Sequence, residues 1–133
     1  MILVLLSERL AVCRLDPQIP VPAWASRSEF YSATRTPDEL SVVCAEFDVP
    51  PDVTCEPGWR ALRVVGPLEF SLTGVLESLA RPLAEAGISL FALSTYDTDY
   101  VLVKASRLEE ALQVLIGSGH QVQPQEQPPH TAG

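Results

Sequence analysis

The sequence predicts an α+β fold in which an antiparallel sheet carries its helices on one face. Three observations predict it. The hydrophobic period switches between strand and helix in the order β-α-β-β-α-β over residues 59–123. Both helical stretches have residues suited to start and stop them. Residues 30–44 also repeat the strand-turn-strand pattern of residues 90–103.

Each element of the second half follows in order. From Trp59 to Val65, Leu62 and Val64 alternate against Arg60 and Arg63, as on a strand with one wet face, and Gly66-Pro67 ends it. Leu72, Val75, Leu76, Leu79 and Leu83 then form one helical stripe, with Ser71 placed to cap its start and Gly87 to stop it. Pro82 has no N–H to offer the Ser78 carbonyl, which predicts a kink. Ile88 to Thr95 and Tyr100 to Lys104 read as a hairpin turning at Tyr96-Asp97-Thr98-Asp99. Ser106-Arg107-Leu108-Glu109 has the form of a capping box. Leu108, Ala111, Leu112, Leu115 and Ile116 give the second helix its buried stripe, Gly117 and Gly119 close it, and His120-Gln121-Val122 begins a last strand.

The first half is a reduced version of the same unit. Met1 to Leu6 is too short for a membrane span or a signal-peptide core and reads as a strand. Leu10 to Leu15 reads as another strand, and Pro17, Pro20 and Pro22 leave room only for a short helical turn around Trp24. The strand-turn-strand of residues 30–44 follows, but Asp48-Val49-Pro50-Pro51-Asp52 is a poor helix former, so the second helix of this copy is expected to be lost. The expected division is a reduced unit at 1–57, a complete unit at 58–123 and a disordered tail at 124–133, where no apolar periodicity remains.

Composition narrows the function. Seventeen acidic residues against nine basic ones give a formal net charge of -8, with no Lys/Arg cluster, which argues against nucleic acid as a partner. The three cysteines, Cys13, Cys44 and Cys55, are far apart and in no metal-ligand spacing. They read as free thiols of a cytoplasmic protein, and no metal or cofactor is implied. With two histidines, one of them in the tail, a catalytic arrangement would rest on His120, read here as an exposed histidine at a strand end, and no enzyme activity is expected.

Binding has more to draw on. The loop from Gly66 to Gly74, with Phe70 beside it, leads from a strand to a helix whose first N–H groups lack intrahelical partners, a place suited to a carboxylate. Gly74 either lets a ligand approach or packs tightly on the sheet. Carboxylates for an ammonium group come from Asp97, Asp99 and Asp38, and hydroxyl or carbonyl oxygens from Ser94, Thr95 and Tyr96. The same Asp and Thr residues are also ordinary hairpin-turn formers.

Phe30 to Ser32 with Thr34 to Cys44, then Gly66 to Leu76, then Gly87 to Val103 resemble the bacterial ACT-domain proteins related to the CASTOR arginine sensors. The resemblance implies a tandem of ferredoxin-like ACT units, antiparallel sheets with helices on one face, and a ligand held between two units. It implies that Ser71, Leu72, Thr73 and Gly74 meet the backbone of a bound amino acid, with Thr95, Tyr96 and Asp99 closing the other side. The larger sensors have four units against this single short tandem, so a homodimer is one way to complete a pocket. The alternative function is assembly alone, a non-liganded ACT module that mediates homo- or hetero-oligomerisation.

Overall fold

The computed structural model describes residues 1–66 and 74–125. Phe70, Ser71, Leu72 and Thr73, and most of the expected tail, lie outside the described residues. Among the described residues, eight strands form one sheet: β1 (Ile2–Leu5), β2 (Leu10–Leu15), β3 (Ser32–Arg35), β4 (Leu40–Ala45), β5 (Thr54–Val64), β6 (Leu90–Ser94), β7 (Asp99–Lys104) and β8 (Gln121–Pro124). Two helices accompany them, α1 (Val75–Glu85) and α2 (Leu108–Gly117), with a short 3-10 turn at Ala23–Ser26 around Trp24.

The long strand β5 organises the sheet. Its first part pairs with β2 and its last part with β1, so β1 and β2 act as one interrupted strand running antiparallel to it. On its other edge β5 pairs with β7, which pairs with β6, while β4 and β3 extend the sheet beyond β2. β8 pairs parallel with β1 rather than with β5. The second half therefore follows the expected βαββαβ order, with one addition: β1 is inserted between its first and last strands.

Where β5 passes from one half to the other, its pairing with β2 shifts between Leu10 and Val12. Gly58 sits at this bulge with φ 79, a backbone setting that L side chains rarely adopt, and a Cβ there would lie 3.3 Å from Arg9 Nη2. Its N–H donates to Glu46 Oε1 at 2.8 Å, a carboxylate that also pairs with Arg9 at 3.4 Å. The bulge is thus fixed from both sides.

Three cores result. Leu3, Leu62, Val64, Val101 and Val103 face α1 and α2 through Val75, Leu79, Leu83, Ala111 and Leu115. Alternation along the strands puts Ala61, Trp59 and Leu102 on the opposite face. There they meet Val43, Leu10 and Phe30 of the first half. Phe30 lies against Tyr100 with ring centroids 4.7 Å apart. The far side of the first half is closed by Ala25 and Trp24 over Ala11, Cys13, Val42 and Cys44.

The two hairpins share their turn chemistry. Thr36 N–H donates to Glu39 O at 2.9 Å and Thr95 N–H to Thr98 O at 2.8 Å. Each threonine Oγ1 accepts from the N–H three residues on, at 3.1 Å from Glu39 and 3.3 Å from Thr98. After each second strand the chain enters a 3-10 turn, Glu46–Asp48 in the first half and Ala105–Arg107 in the second. From Leu108 the second copy continues into α2, whereas Val49, which stands before Pro50, is extended at φ -79 and ψ 125. The loss of the first copy's second helix follows from that proline pair.

Two helix starts differ from the sequence reading. α1 begins at Val75 with Gly74 as its N-cap, so the cap falls three residues beyond Ser71. The capping box does not form, because the 3-10 turn places Ser106 before the entry and Arg107 becomes the N-cap of α2. Arg107 instead pairs with Glu110 at 2.9 Å. α1 does end at Gly87 as expected, with Ile88 N–H donating to Leu83 O at 2.9 Å.

Candidate functional site

The site expected from the sequence centres on the end of the sheet where β5 gives way to the segment leading to α1. The turn between β6 and β7 is tied there by one buried bond: Thr98 Oγ1 donates to Val64 O at 2.7 Å, and Thr98 is only 6% exposed. On the neighbouring edge Val65 N–H donates to Ile2 O at 2.9 Å. Val64 and Val75 belong to one core, so the start of α1 and the end of β5 close over the same apolar layer.

The turn residues present polar groups around this corner. Thr95, Tyr96 and Asp97 are exposed, and Asp99 is half-buried with Oδ1 accepting from Ser94 Oγ at 2.6 Å. A carboxylate has acceptor capacity beyond one such bond. Gly66 and Gly74, the two ends of the connecting segment, are both exposed. Gly74 has φ 80, a setting that favours glycine, and among the described residues nothing lies within 4 Å of where a Cβ would stand, so the residue type answers to backbone conformation. It caps α1 instead of lying in its first turn.

Asp38 is not brought to this corner within one chain. Its turn follows β3 and lies beside Arg14, whose Nη2 donates to the Asp38 carbonyl at 3.1 Å and whose Nη1 pairs with Glu39 at 3.1 Å. Arg14 registers with Thr54, at the opposite end of β5 from Val64. The two turns are separated by nearly the length of that strand, roughly 30 Å at the usual rise per residue.

Two residues have roles that the sequence reading missed. Thr98, read as one of several turn residues, is the buried anchor of the turn. His120, read as exposed, is 7% exposed and lies between α1 and the start of the chain. Its Nε2 donates to Ser78 O at 3.0 Å, the carbonyl that Pro82 leaves without a helical donor, and its Nδ1 accepts from the Met1 amino group at 3.1 Å. The tautomer follows from these two partners. Pro82 was the signal for this arrangement, since an orphaned helix carbonyl in a packed region calls for another donor.

The three cysteines are free, and the fold gathers them although they are far apart in sequence. Cys13 registers directly with Cys55, and the hydrogen bond to Cys44 together with burial pushes the Cys13 thiol up, so it stays protonated. Among the described residues no group of His, Cys, Asp and Glu has the arrangement to hold a metal ion. No helix among them is long and apolar enough to cross a membrane.

A family model for the ACT domain matches residues 54–116, and a second model, of an N-terminal domain, matches residues 8–52. The solved structure of protein Atu0741 from Agobacterium tumefaciens is 37% identical, covers 97% of this chain and 96% of its own, and superposes with a TM-score of 0.88. The chain belongs to the ACT-domain family. The cytosolic arginine sensor for mTORC1 subunit 1 of Bos taurus is 32% identical over 101 residues, which cover 68% of this ACT-domain chain and 31% of that sensor. The chain thus spans about a third of the length of that relative. The regulatory subunit of aspartate kinase from Thermus thermophilus, at 15% identity and a TM-score of 0.57 over 84% of this chain and 93% of its own, shares the ferredoxin-like fold. The family resemblance expected from the sequence is borne out, and the chain is related to a cytosolic arginine sensor.

Proposed function

We propose that this chain is a cytoplasmic regulatory module that binds an amino acid or a similar small molecule, without catalysing a reaction. The proposed organisation is a reduced unit at 1–57 and a complete unit at 58–123, meeting near the bulge at Gly58. The proposed ligand-binding residues are Gly66, Phe70, Ser71, Leu72, Thr73 and Gly74, together with the turn of Thr95, Tyr96, Asp97 and Asp99. The observation that carries this reading is the Thr98–Val64 bond, which fixes the acidic turn at the end of β5. Asp99 offers a carboxylate to an ammonium group, and N–H groups at the start of α1 suit a carboxylate. Asp38 takes part only if a second copy brings its turn to the corner, which would make the working form a homodimer. The arginine-sensing relative supports both the ligand class and the cytoplasmic setting by its name.

The test is a calorimetric titration of the purified chain with amino acids, repeated on Asp99→Ala. Saturable binding that weakens about tenfold in the variant supports the reading. Equal affinity in both chains would remove Asp99 and its turn from the site.

Assembly alone is the second reading. β3, β6 and β8 are the outer strands of the sheet, and Phe47 is 96% exposed on the turn after β4. Its signature is an oligomer whose stability depends on protein concentration and ignores small molecules.

A further inference from the structure

A cavity opens where β1 breaks from β2, between the two halves of the sheet. It encloses about 270 Å³ and is floored by Leu6, Leu10, Phe30 and Tyr100. Glu8 and Glu29 border it from the first half and Arg63 from β5. We propose that this cavity is a second ligand site, taking a small linear molecule with an ammonium group at one end and a carboxylate at the other.

The volume lies just below the range of pockets for drug-sized ligands, which selects a guest of amino-acid size. Among the described residues its charges are laid out without counter-ions. In the first half Glu46 is matched by Arg9 and Glu39 by Arg14. Among the described residues neither Glu8, Glu29 nor Arg63 is in an ion pair. Burial first, then the charges of Asp48 and Glu29, push the Glu8 carboxyl up, as expected where carboxylates gather without a cation. An ammonium group between Glu8 and Glu29 would relieve that repulsion, and a carboxylate would give the Arg63 guanidinium its acceptor. Gln125 adds a donor: its Oε1 accepts from Ser7 N at 2.9 Å and Ser7 Oγ at 3.1 Å, leaving its NH2 for another partner. The apolar part of the lining, Leu6, Leu10, Phe30 and Tyr100, suits a short methylene chain.

This site is separate from the corner proposed above and does not rest on it. Tyr100 and Arg63 register with one another on the face that meets the first half, whereas Val64 and Val101, one residue further along each strand, face the helices.

The experiment is a titration of the full, isotopically labelled chain followed by amide NMR shifts, with L-lysine, 1,5-diaminopentane and glutarate as probes. L-lysine is expected to shift Glu8, Phe30 and Tyr100 saturably, 1,5-diaminopentane to bind about tenfold more weakly, and glutarate to leave these amides unmoved. Glu29→Gln should weaken L-lysine about tenfold at unchanged unfolding temperature, and Arg63→Gln should abolish the preference for L-lysine over the diamine. No saturable shift at these residues, or shifts that survive both substitutions, would overturn the proposal. Shifts confined to residues 95–99 would also overturn it while favouring the corner site.

Discussion

At the residue scale, single polar side chains decide how the candidate site is held. Thr98→Val keeps the shape but leaves the Val64 carbonyl without its buried donor, which should cost about 1–3 kcal/mol in urea unfolding. A cost near zero would mean that the bond does not hold the turn. Glu8 gives a pH prediction. Its folded carboxyl is raised above the ordinary value, so its contribution is unperturbed at low pH and becomes destabilising as pH rises through the raised value. Glu8→Gln should therefore stabilise the chain at neutral pH and have little effect near pH 3. The gain stays well under about 1 kcal/mol because the side chain is screened by solvent. An equal effect at both pH values would contradict it. The sequence made the acidic turn legible as a turn, because Asp and Thr between two apolar runs have few other uses. It did not distinguish Thr98, whose neighbours Asp97 and Asp99 carry the more conspicuous chemistry, from a threonine exposed to water.

At the element scale, α1 shows how one helix-breaking residue is accommodated. Pro82 withholds its donor from Ser78 O, and His120 supplies one from the end of α2. His120→Ala should destabilise by about 1–3 kcal/mol. In a Pro82→Ala background the restored N–H at position 82 can take the Ser78 carbonyl, so the same substitution should cost less. A double-mutant cycle from denaturant unfolding should give a coupling of at least about 0.5 kcal/mol. Strict additivity would show that the two residues do not share that carbonyl. The proline was readable and so was its orphan, but its rescuer lies 42 positions away and no local pattern points to it. Helix starts were the least legible elements. A Ser-x-x-Glu spacing fits a capping box only if the serine is the entry residue, and at Ser106 a preceding 3-10 turn removes that condition. The missing helix of the first half was legible because Pro50 and Pro51 forbid it outright.

At the scale of the whole molecule, the inserted β1 binds the halves into one structure. Periodicity shows that Met1 to Leu6 is a strand, but not which strands flank it, since any neighbour of matching register satisfies a period of two. Its place between β5 and β8 has a consequence for dissection. A fragment of residues 58–125 lacks the strand that β5 and β8 pair with, and it should show no cooperative thermal transition, whereas adding a peptide of residues 1–7 should restore one. A cooperative transition in the fragment alone would mean that β8 can close directly on β5. The regulatory reading belongs to this scale too, because a ligand that binds only the folded chain stabilises all of it. The decisive measurement is thermal unfolding of the full chain against each proteinogenic amino acid at millimolar concentration, at two protein concentrations. At least one amino acid is expected to raise the unfolding temperature saturably, on the order of 5–10 °C at a hundredfold excess over its Kd. Unfolding temperatures that ignore every amino acid, but rise with protein concentration, would contradict ligand binding and identify the chain as an assembly module.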